Sequence, residues 1–380
     1  MNFELSQKHL QLQDMAREFA DKILMPSADR YDRNEEFPAE QIEKLAGLGF
    51  LGILVSEQMG GLGLDTVGLT CALEEIHRGC ASTGVTVSVH NSLLTHPLIT
   101  FGNPAQCARY LPRLASGKSL GAYAITEPNH GSDAAAIETT CRRAGNKYIL
   151  NGTKAWITNG SKADVVITFA TLDAAKGPKG ICAFIVEREF SGFQVGKKEL
   201  KLGIRGSDTV QLVFEDLEVP VENLLGEEGQ GFKIAMHTLD GGRIGIATQA
   251  VGIAQACLEA SLRYLERNES LQHSQALQHK LADMAMEIDA ARLLTYRAAS
   301  LKDRGRPHSV EASKAKLYAS ETSNRAAREA VQIHGGEGIC RGASVDRLFR
   351  DARITEIYEG TSEIQRLVIA RQTLKNARPA

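Results

Sequence analysis

Residues 165–186 read VVITFATLDAAKGPKGICAFIV, two short runs of β-branched and aromatic residues on either side of a break at Gly177 and Pro178. Runs of this length and composition, bounded by a Gly-Pro turn, predict two β-strands. Similar runs occupy residues 148–150 and 210–214. The runs follow one another too closely for crossover helices, so they predict a small antiparallel sheet or barrel rather than a parallel nucleotide-binding sheet.

Helical periodicity flanks this β region on both sides. Apolar residues from Leu12 to Ile23 recur at steps of three and four, which predicts a helix that ends at Pro26. After Gly231, apolar and small residues recur at the spacing of long, closely packed helices in a bundle. The predicted fold class is α+β, with an N-terminal helical domain (1–118), a middle β domain (119–228) and a C-terminal helical bundle (229–380).

Composition excludes several classes of protein. The chain of 380 residues carries 44 Lys and Arg against 46 Asp and Glu, so it has no basic field for nucleic acid or anionic lipid. Seven scattered cysteines without a CxxC pair argue against a disulfide framework or a metal cluster. No apolar run approaches 18 residues, and no hydrolase elbow, zincin or Walker motif occurs. These features predict a cytoplasmic protein in a reducing compartment, with no nucleic acid partner, no membrane insertion and no metal.

Two stretches of the β region offer groups that bind a flat polar ligand. The segment YAITEPNHGSD (123–133) combines hydroxyls with a rigid proline and a glycine where the β domain opens. The segment KAWITNG (154–160) holds the only tryptophan. In a regular strand, Trp156 and Thr158 would share one face, so that the ring covers a planar ligand while the hydroxyl bonds its edge. A tryptophan buried in the core is the alternative interpretation.

A third stretch near the C-terminus places a carboxylate at a break between two helical runs. It reads RDARITEIYEGTSEIQR (350–366), with Glu359 beside Gly360 and Thr361 as the predicted N-cap of the next helix. A carboxylate at such a break is able to project into a cavity. From these residues alone, an ordinary surface glutamate remains the alternative.

Taken together, these motifs resemble those of the acyl-CoA dehydrogenases, and most closely their short-chain (butyryl) branch. The resemblance runs nearly end to end and implies a C-terminal four-helix bundle. It rests on motifs at 123–133, 156–158, 201–207, 240–243, 280–284, 332–336 and 358–361.

The resemblance implies a set of site residues around FAD and a thioester. Glu359 would be the catalytic base. Residues that would bind the substrate are Ser132, Asp240, Arg243 and Gly360. Residues that would bind FAD, some of them from a neighbouring subunit of a homotetramer, are Tyr123, Ala124, Ile125, Thr126, Ser132, Trp156, Ile157, Thr158, Gln275, Gln332, Gly335, Gly336, Thr361 and Glu363.

The implied reaction is α,β-dehydrogenation of a short-chain acyl-CoA to a trans-2-enoyl-CoA in fatty acid β-oxidation. Glu359 would remove the α-proton while the β-hydrogen leaves as hydride to flavin N5, and electron-transferring flavoprotein would reoxidise the cofactor. Donors fixed around the thioester oxygen would stabilise the developing enolate. Enclosure among apolar groups is expected to raise the pKa of Glu359.

One segment departs from the family pattern. Members carry Arg-x-x-Phe-Gly-x-Pro after the first bundle helix, and its arginine contacts the neighbouring subunit's FAD, whereas residues 264–275 read YLERNESLQHSQ and are about four residues shorter. Arg267 is the candidate replacement. Two alternative functions stay open: dehydrogenation of an acyl or aminoacyl group on a carrier protein, and a flavin-poor, non-catalytic binding protein, against which the retention of Glu359 argues.

Overall fold

The computed structural model describes residues 4–377, and its elements run in the order helices, sheet, helices. The N-terminal helices are α1 (Gln7–Phe19), α2 (Met25–Asn34), α3 (Ala39–Gly47), α4 (Thr66–Gly79), α5 (Ala81–Val89), α6 (His96–Phe101) and α7 (Pro104–Ala115). The C-terminal helices are α8 (Gly231–Arg267), α9 (Glu269–Gln272), α10 (Gln275–Asp303), α11 (Ser309–His334), α12 (Val345–Ala352) and α13 (Ser362–Asn376).

The first helix does not end at Pro26, as its sequence predicts. A π-helical segment (Ala20–Leu24) joins α1 to α2, and Pro26 lies in the first turn of α2. A proline is tolerated there because the first turn of a helix needs no intrahelical N–H donor at that position. The helical chain therefore continues to Asn34.

The middle of the chain forms one eight-stranded sheet. Its strands are β1 (Gly121–Ala124), β2 (Thr140–Ala144), β3 (Lys147–Thr158), β4 (Val165–Thr171), β5 (Ile181–Glu187), β6 (Phe193–Lys198), β7 (Thr209–Pro220) and β8 (Leu224–Leu225). They lie in the order β6-β7-β3-β2-β4-β5-β8, and β1 pairs with β4.

The sheet is mostly but not wholly antiparallel. Five ladders are antiparallel as predicted, whereas β1 runs parallel to β4 and a single parallel pair joins β2 to β4. A parallel pair needs a long connection, and the β2–β3 hairpin between β1 and β4 supplies it. The prediction of a purely antiparallel sheet is wrong for β1, which the hairpin allows to enter beside β4.

Both faces of the central strands are buried, which explains their unbroken apolar runs. Val165, Ile167 and Phe169 belong to the large core shared with the helices, whereas Val166 and Phe184 belong to a second core within the β domain. The sheet is thereby packed against both helical parts. Helices α8 and α11 make the most extensive helix–helix contact of the C-terminal bundle.

No helix among residues 4–377 combines the length and apolarity that a bilayer span requires.

Candidate active site

Glu359 lies in the short loop between a 3-10 turn (Arg353–Glu356) and α13. Its backbone is left-handed, with φ of 52°, a conformation that costs free energy for a residue other than glycine and is often found at functional sites. Gly360 follows with φ of 96°. Two consecutive residues with positive φ turn the chain sharply, so that the Glu359 side chain points inward instead of along a solvated helix face.

The Glu359 carboxylate lies beside helix α8 and has no hydrogen-bond partner among residues 4–377. Its Oε2 is buried and unpaired, and a Cβ on Gly242 would come within 2.1 Å of it. Burial raises the pKa of Glu359 to about 7, although the charges of Lys316 and Arg243 oppose the shift. The carboxyl is therefore poised to exchange a proton near neutral pH, which agrees with the raised pKa expected from the sequence.

The loop around Glu359 is tied down by its neighbours. The buried Lys316 Nζ donates to the Gly360 carbonyl at 2.7 Å, and Gln365 Nε2 donates to the same oxygen at 2.9 Å. The Tyr358 hydroxyl donates to Oε1 of Gln249, a fully buried residue of α8. These bonds hold the strained turn and thereby position the carboxylate.

Thr361 caps the helix that follows, as predicted. Its side chain accepts from the Ile364 amide at 3.4 Å, and α13 begins at Ser362. Glu363, in the first turn of α13, is exposed and its pKa is lowered by hydrogen bonds to its own amide and to Thr361. The cap fixes where helix α13 starts relative to Glu359.

The predicted substrate residues Asp240 and Arg243 lie one helical turn apart on α8. Arg243 Nη1 donates to Asp240 Oδ1 at 2.5 Å, and Ser309 Oγ donates to the same oxygen at 2.9 Å. Arg243 is 7% exposed, and its Nε has no partner in the part of the chain that the structure describes. The structure thus brings Arg243 and Gly360 into the surroundings of Glu359, with one guanidinium N–H still available.

Tyr123 is a residue of the sheet that lies close to Glu359. It lies on β1 and packs edge-on against Phe169 with ring centroids 5.2 Å apart. No described residue forms a hydrogen bond with its buried hydroxyl. Burial, together with the negative charge of Glu359, raises its pKa well above the ordinary value. Burying a hydroxyl without a hydrogen bond normally costs free energy. The Tyr123 hydroxyl is therefore available to form a hydrogen bond with a bound ligand.

Trp156 differs from the regular-strand prediction. The pairing of β3 with β7 is irregular between Lys154 and Ile157, and Trp156 sits in this bulge with φ of 61°. Exposure still alternates along this end of β3, where Trp156 is exposed, Ile157 is buried and Thr158 is partly exposed. The ring is 59% exposed, which excludes the alternative of a core tryptophan and leaves a large aromatic surface at the edge of the sheet.

A buried ion pair joins the segments 123–133 and 154–160. Lys154 Nζ lies 2.7 Å from Glu127 Oε1, and both side chains are almost completely buried. Glu127 also accepts from the amides of Glu138 and Thr139. Because a buried charge requires a partner, this pair locks the loop after β1 onto strand β3 next to Trp156.

The remaining predicted residues lie at different depths. Ala124 and Ile157 are buried in the β domain, Ile125, Thr126 and Thr158 are partly exposed, and Ser132 is exposed in the loop before β2. Exposed residues of the bundle ends are Gln275, Gln332, Gly335 and Gly336, which no hydrogen bond or ion pair among residues 4–377 joins to Glu359. Within one chain, these four residues are therefore not linked to the predicted base by hydrogen bonds or ion pairs of the described residues.

The shortened segment after α8 contains the small helix α9. Arg267 is exposed at the end of α8, and its Nε donates to the Arg263 carbonyl at 3.3 Å. Its charge contributes to lowering the pKa of His334, which adjoins Gly335. Arg267 therefore lies near the 332–336 motif, where a replacement for the missing family arginine would be needed.

Several residues that shape the site were not predicted. Gly242 lies within the 240–243 motif, and its lack of a side chain leaves room for the Glu359 carboxylate. Lys316 interrupts a stripe of alanines and serines on α11, a signal that a lysine has a buried partner. The partners Gln249 and Glu127 carry no comparable signal in the sequence.

These groups fit a flat, polar cofactor between sheet and bundle. The exposed Trp156 ring, the unpaired Tyr123 hydroxyl and the partly exposed Thr126 and Thr158 combine an aromatic surface with hydrogen-bonding groups. The isoalloxazine ring of FAD needs this combination. Together with the buried base, the helix–sheet–helix fold defines a flavin-dependent oxidoreductase.

Comparison with known proteins agrees with this class. Models of the N-terminal, middle and C-terminal domains of acyl-CoA dehydrogenase match residues 6–118, 122–217 and 229–374. The mitochondrial short-chain specific acyl-CoA dehydrogenase of Rattus norvegicus is 50% identical over 379 residues, 99% of this chain and 92% of the relative. The structure of butyryl-CoA dehydrogenase from Megasphaera elsdenii has a TM-score of 0.96 at 44% identity, covering 98% of this chain and 100% of that one.

A third similar chain comes from a structure of the electron transferring flavoprotein of Acidaminococcus fermentans. It has a TM-score of 0.97 at 45% identity and covers 99% of this chain and 100% of its own. The present chain belongs to the acyl-CoA dehydrogenase family. The predicted family, three-part fold, enzyme class and FAD cofactor are confirmed.

Proposed function

We propose that this protein dehydrogenates a short-chain acyl-CoA to the trans-2-enoyl-CoA, with Glu359 as the base that removes the α-proton. The proposal rests on the Glu359 carboxylate, whose Oε2 is buried without a partner among residues 4–377 and whose pKa is raised to about 7. Short-chain specific and butyryl-CoA dehydrogenases among the similar proteins support the choice of substrate.

A raised pKa suits a base that acts near neutral pH. The α-proton of a thioester is weakly acidic, so the base must be strong, correctly placed and shielded from water. At pH above about 7 the Glu359 carboxylate is ionised, and its unpaired oxygen is free to accept the proton. The charges of Lys316 and Arg243 keep its pKa from rising further, so the base stays ionised in a useful range of pH.

The negative charge that develops on the thioester oxygen needs fixed donors. The Glu359 amide donates no hydrogen bond to any other residue within 4–377, so it is available for this role. The turn that frees this amide is held by Lys316 and Gln365. Arg243 and Asp240 then hold the polar arm of the thioester beside the base, together with Gly360 and Ser132.

FAD, when bound, accepts the β-hydrogen of the substrate as hydride. We assign its ring and phosphates to the stretch 123–126, Ser132 and 156–158, and its adenosine half to Thr361 and Glu363. We assign Gln275, Gln332, Gly335 and Gly336 to the FAD of a neighbouring subunit in a homotetramer, because they are exposed and lie away from the base. Molar mass from light scattering tests the tetramer.

The electron acceptor we propose is an electron-transferring flavoprotein. The similarity to a chain from the Acidaminococcus structure supports this choice. We also propose the cytoplasm as the compartment, which agrees with seven unpaired cysteines, six of them buried.

The direct test is the visible spectrum of the purified protein. Anaerobic butyryl-CoA should bleach the flavin band of the wild type, whereas Glu359→Gln should bind FAD, fold normally and bleach at least a thousandfold more slowly. A Glu359→Gln enzyme that bleaches at the wild-type rate would refute the assignment of the base.

A further inference from the structure

The loop between β6 and β7 carries the 201–207 motif and lies against helix α12. A Cβ on Gly203 would come within 2.1 Å of the Arg350 carbonyl oxygen, so only a glycine allows this close approach. Arg350 in turn donates from Nη1 to the Leu202 carbonyl at 3.3 Å. The loop is therefore packed directly onto the backbone of α12.

A buried carboxylate joins this loop to α12. Asp351 is 1% exposed, and its Oδ1 accepts from the Ile204 amide at 2.5 Å. Its Oδ2 lies 3.6 Å from Nη1 of Arg347. Burial raises the pKa of Asp351 to about 6, although the Arg347 charge and the Ile204 hydrogen bond oppose the shift. Because a buried carboxylate costs free energy unless it is bonded and paired, these contacts fix the loop on α12.

The other end of the loop holds the turn that follows strand β3. The Asp208 carboxylate accepts from the amide and the hydroxyl of Ser161 at 2.7 and 2.8 Å. The Asp208 carbonyl accepts from the Asn159 amide at 3.0 Å. This turn directly follows Trp156 and Thr158, so Asp208 fixes the end of the stretch that we assigned to FAD.

Hydrogen bonds within the loop keep its two ends at a set separation. We call the segment 203–208 the strap. The Ser207 amide donates to the Ile204 carbonyl at 3.0 Å, which closes a turn in the middle of the strap. Lys201 Nζ donates to the Ser207 carbonyl at 2.7 Å. The strap is therefore a short, braced connection between α12 and the end of β3.

Strained backbone follows the same path. Of the seven residues other than glycine that have positive φ within residues 4–377, four lie on the strap or on the segments at its ends. Their φ values are 61°, 63°, 43° and 52° for Trp156, Asn159, Ile204 and Glu359. A positive φ is a genuine outlier for a β-branched residue such as Ile204. Such strain persists only where the surroundings over-determine it, and it clusters at functional sites.

The chain from Asp351 to Glu359 is also held in place. The Ala352 carbonyl accepts from Nδ2 of Asn324, a residue of α11, at 3.0 Å, and from Thr355 Oγ1 at 2.7 Å. Asn324 thus ties the segment of the base to the helical bundle, whereas Asp351 ties it to the β domain.

We propose that the strap sets the distance between Glu359 and the stretch 156–158, with Asp351 and Asp208 as its two positioning residues. Proton and hydride leave adjacent carbons of the substrate, so the base and the residues that hold FAD must keep a fixed separation across it. A misplacement of about 1 Å is able to cost about a hundredfold in rate. The inference rests on the proposed function, because only a reaction that uses both sides of the site together requires their separation to be fixed.

Asp351→Ala removes the acceptor that holds the strap on α12. We expect flavin reduction by butyryl-CoA, measured anaerobically in a stopped-flow instrument, to slow about ten- to hundredfold, because the fixed separation is lost. The apparent Kd for butyryl-CoA should stay at the wild-type value, since Asp240 and Arg243 lie on α8 and keep their contacts. Asp351→Asn retains an oxygen that accepts from the Ile204 amide, and it should recover most of the rate.

Asp29→Ala is the matched control. Asp29 lies on α2 and accepts from Arg347 Nε at 2.9 Å, so this variant also removes a carboxylate from the buried Arg347 but leaves the bond between Asp351 and Ile204 intact. Its flavin should be reduced at close to the wild-type rate. Equal slowing in Asp29→Ala and Asp351→Ala would attribute the effect to the unpaired arginine and overturn the proposal.

A double variant distinguishes the strap from general destabilisation. Asp208→Ala releases the other end of the strap and should also slow flavin reduction. Because a strap works only when both ends are held, the double variant Asp351→Ala/Asp208→Ala should be no slower than the slower single variant. Two unrelated structural losses would multiply, so a multiplied loss in the double variant would overturn the proposal.

A measurement independent of turnover protects the test against misfolding. The Asn159 and Ser161 amides donate to Asp208, so hydrogen exchange of a peptide that covers 156–161 reports the far end of the strap in the intact holoenzyme. Exchange there should be faster in Asp351→Ala and unchanged in Asp29→Ala. Wild-type exchange of this peptide in Asp351→Ala would overturn the proposal. A wild-type flavin that butyryl-CoA does not reduce would refute the proposed function instead, and the exchange result would still decide whether the strap connects the two segments.

Discussion

Replacing Gly242 with alanine should displace the Glu359 carboxylate and lower activity while leaving the stability of the fold nearly unchanged. The new Cβ would lie 2.1 Å from Glu359 Oε2 and 2.8 Å from Leu93 Cδ2. Ordinary van der Waals contact begins at about 3.4 Å, so the carboxylate must withdraw by about 1.3 Å. The carboxylate is the free end of a flexible side chain, so we expect it to move while the helix remains in place.

The magnitude follows from that displacement. A shift of about 1 Å in a reacting group is able to cost about a hundredfold in rate, because proton removal depends on close, aligned contact. We therefore expect Gly242→Ala to lower kcat for butyryl-CoA about a hundredfold. The free energy of unfolding should change little, since alanine favours the helix by up to about 1 kcal/mol and offsets part of the crowding.

The assay is anaerobic bleaching of the flavin by butyryl-CoA in a stopped-flow instrument, with unfolding by urea measured in parallel. Gly245→Ala is the matched control on the same helix, where the new Cβ would lie 2.7 Å from Ser88 Oγ and 3.8 Å from Ser92 Oγ. A serine hydroxyl is able to rotate away, so this variant should keep near wild-type turnover.

Two results would refute the reasoning. Wild-type turnover by Gly242→Ala would mean that the position of the Glu359 carboxylate does not limit the reaction. An equal loss in Gly242→Ala and Gly245→Ala would attribute the effect to general crowding of α8 rather than to the base.

Three further predictions concern buried charges. Because burial raises the pKa of Glu359 from 4.5 to about 7, the folded protein binds its proton more tightly, and stability from this group is lost as pH rises from about 4.5 to 7. Glu359→Gln should therefore raise the free energy of unfolding at pH 8 by roughly 3 kcal/mol and leave it nearly unchanged at pH 4.5, as measured by urea titration. The same difference between variant and wild type at both pH values would contradict this. Lys316→Met should move the acidic limb of the kcat/KM profile to higher pH, because the Lys316 charge lowers the pKa of Glu359. Lys316→Arg keeps the charge and should preserve the limb. An unmoved limb in the methionine variant would exclude this role of Lys316. Glu127→Gln should cost about 3–5 kcal/mol by leaving the Lys154 ammonium buried and unpaired, and adding Lys154→Met should recover part of the loss in a denaturation experiment.

Local patterns in the sequence predicted the three-part architecture well. The unbroken apolar runs of β4 and β5 indicated buried strands, and small residues at helical spacing indicated closely packed bundle helices. The parallel pairing of β1 was missed, because pairing between distant segments leaves no trace in either one. The passage of the first helix beyond Pro26 was missed because a π-helical segment shifted the register ahead of the proline.

The candidate site divides in the same way. The break at Gly360 and the cap at Thr361 are local features, so the residues around Glu359 were enough to predict that it lies between two helices. That its carboxylate is buried, unpaired and close to Gly242 is not a local feature, since it depends on how α8 packs against the loop. The resemblance to the family named Glu359 as the base, but the packing decides its pKa.

By itself, the sequence determined which segments are helix and which are strand, where the reactive carboxylate stands in the chain and which chemistry its motifs suit. Short-range periodicity and capping encode these properties, because they depend on residues within one or two turns of each other. Only the tertiary structure decided that Trp156 lies exposed in a bulge and that Lys316 and Gln249 brace the loop of the base. The physical reason is that burial and unpaired polar atoms arise from contacts between elements far apart in the chain, which no local pattern records.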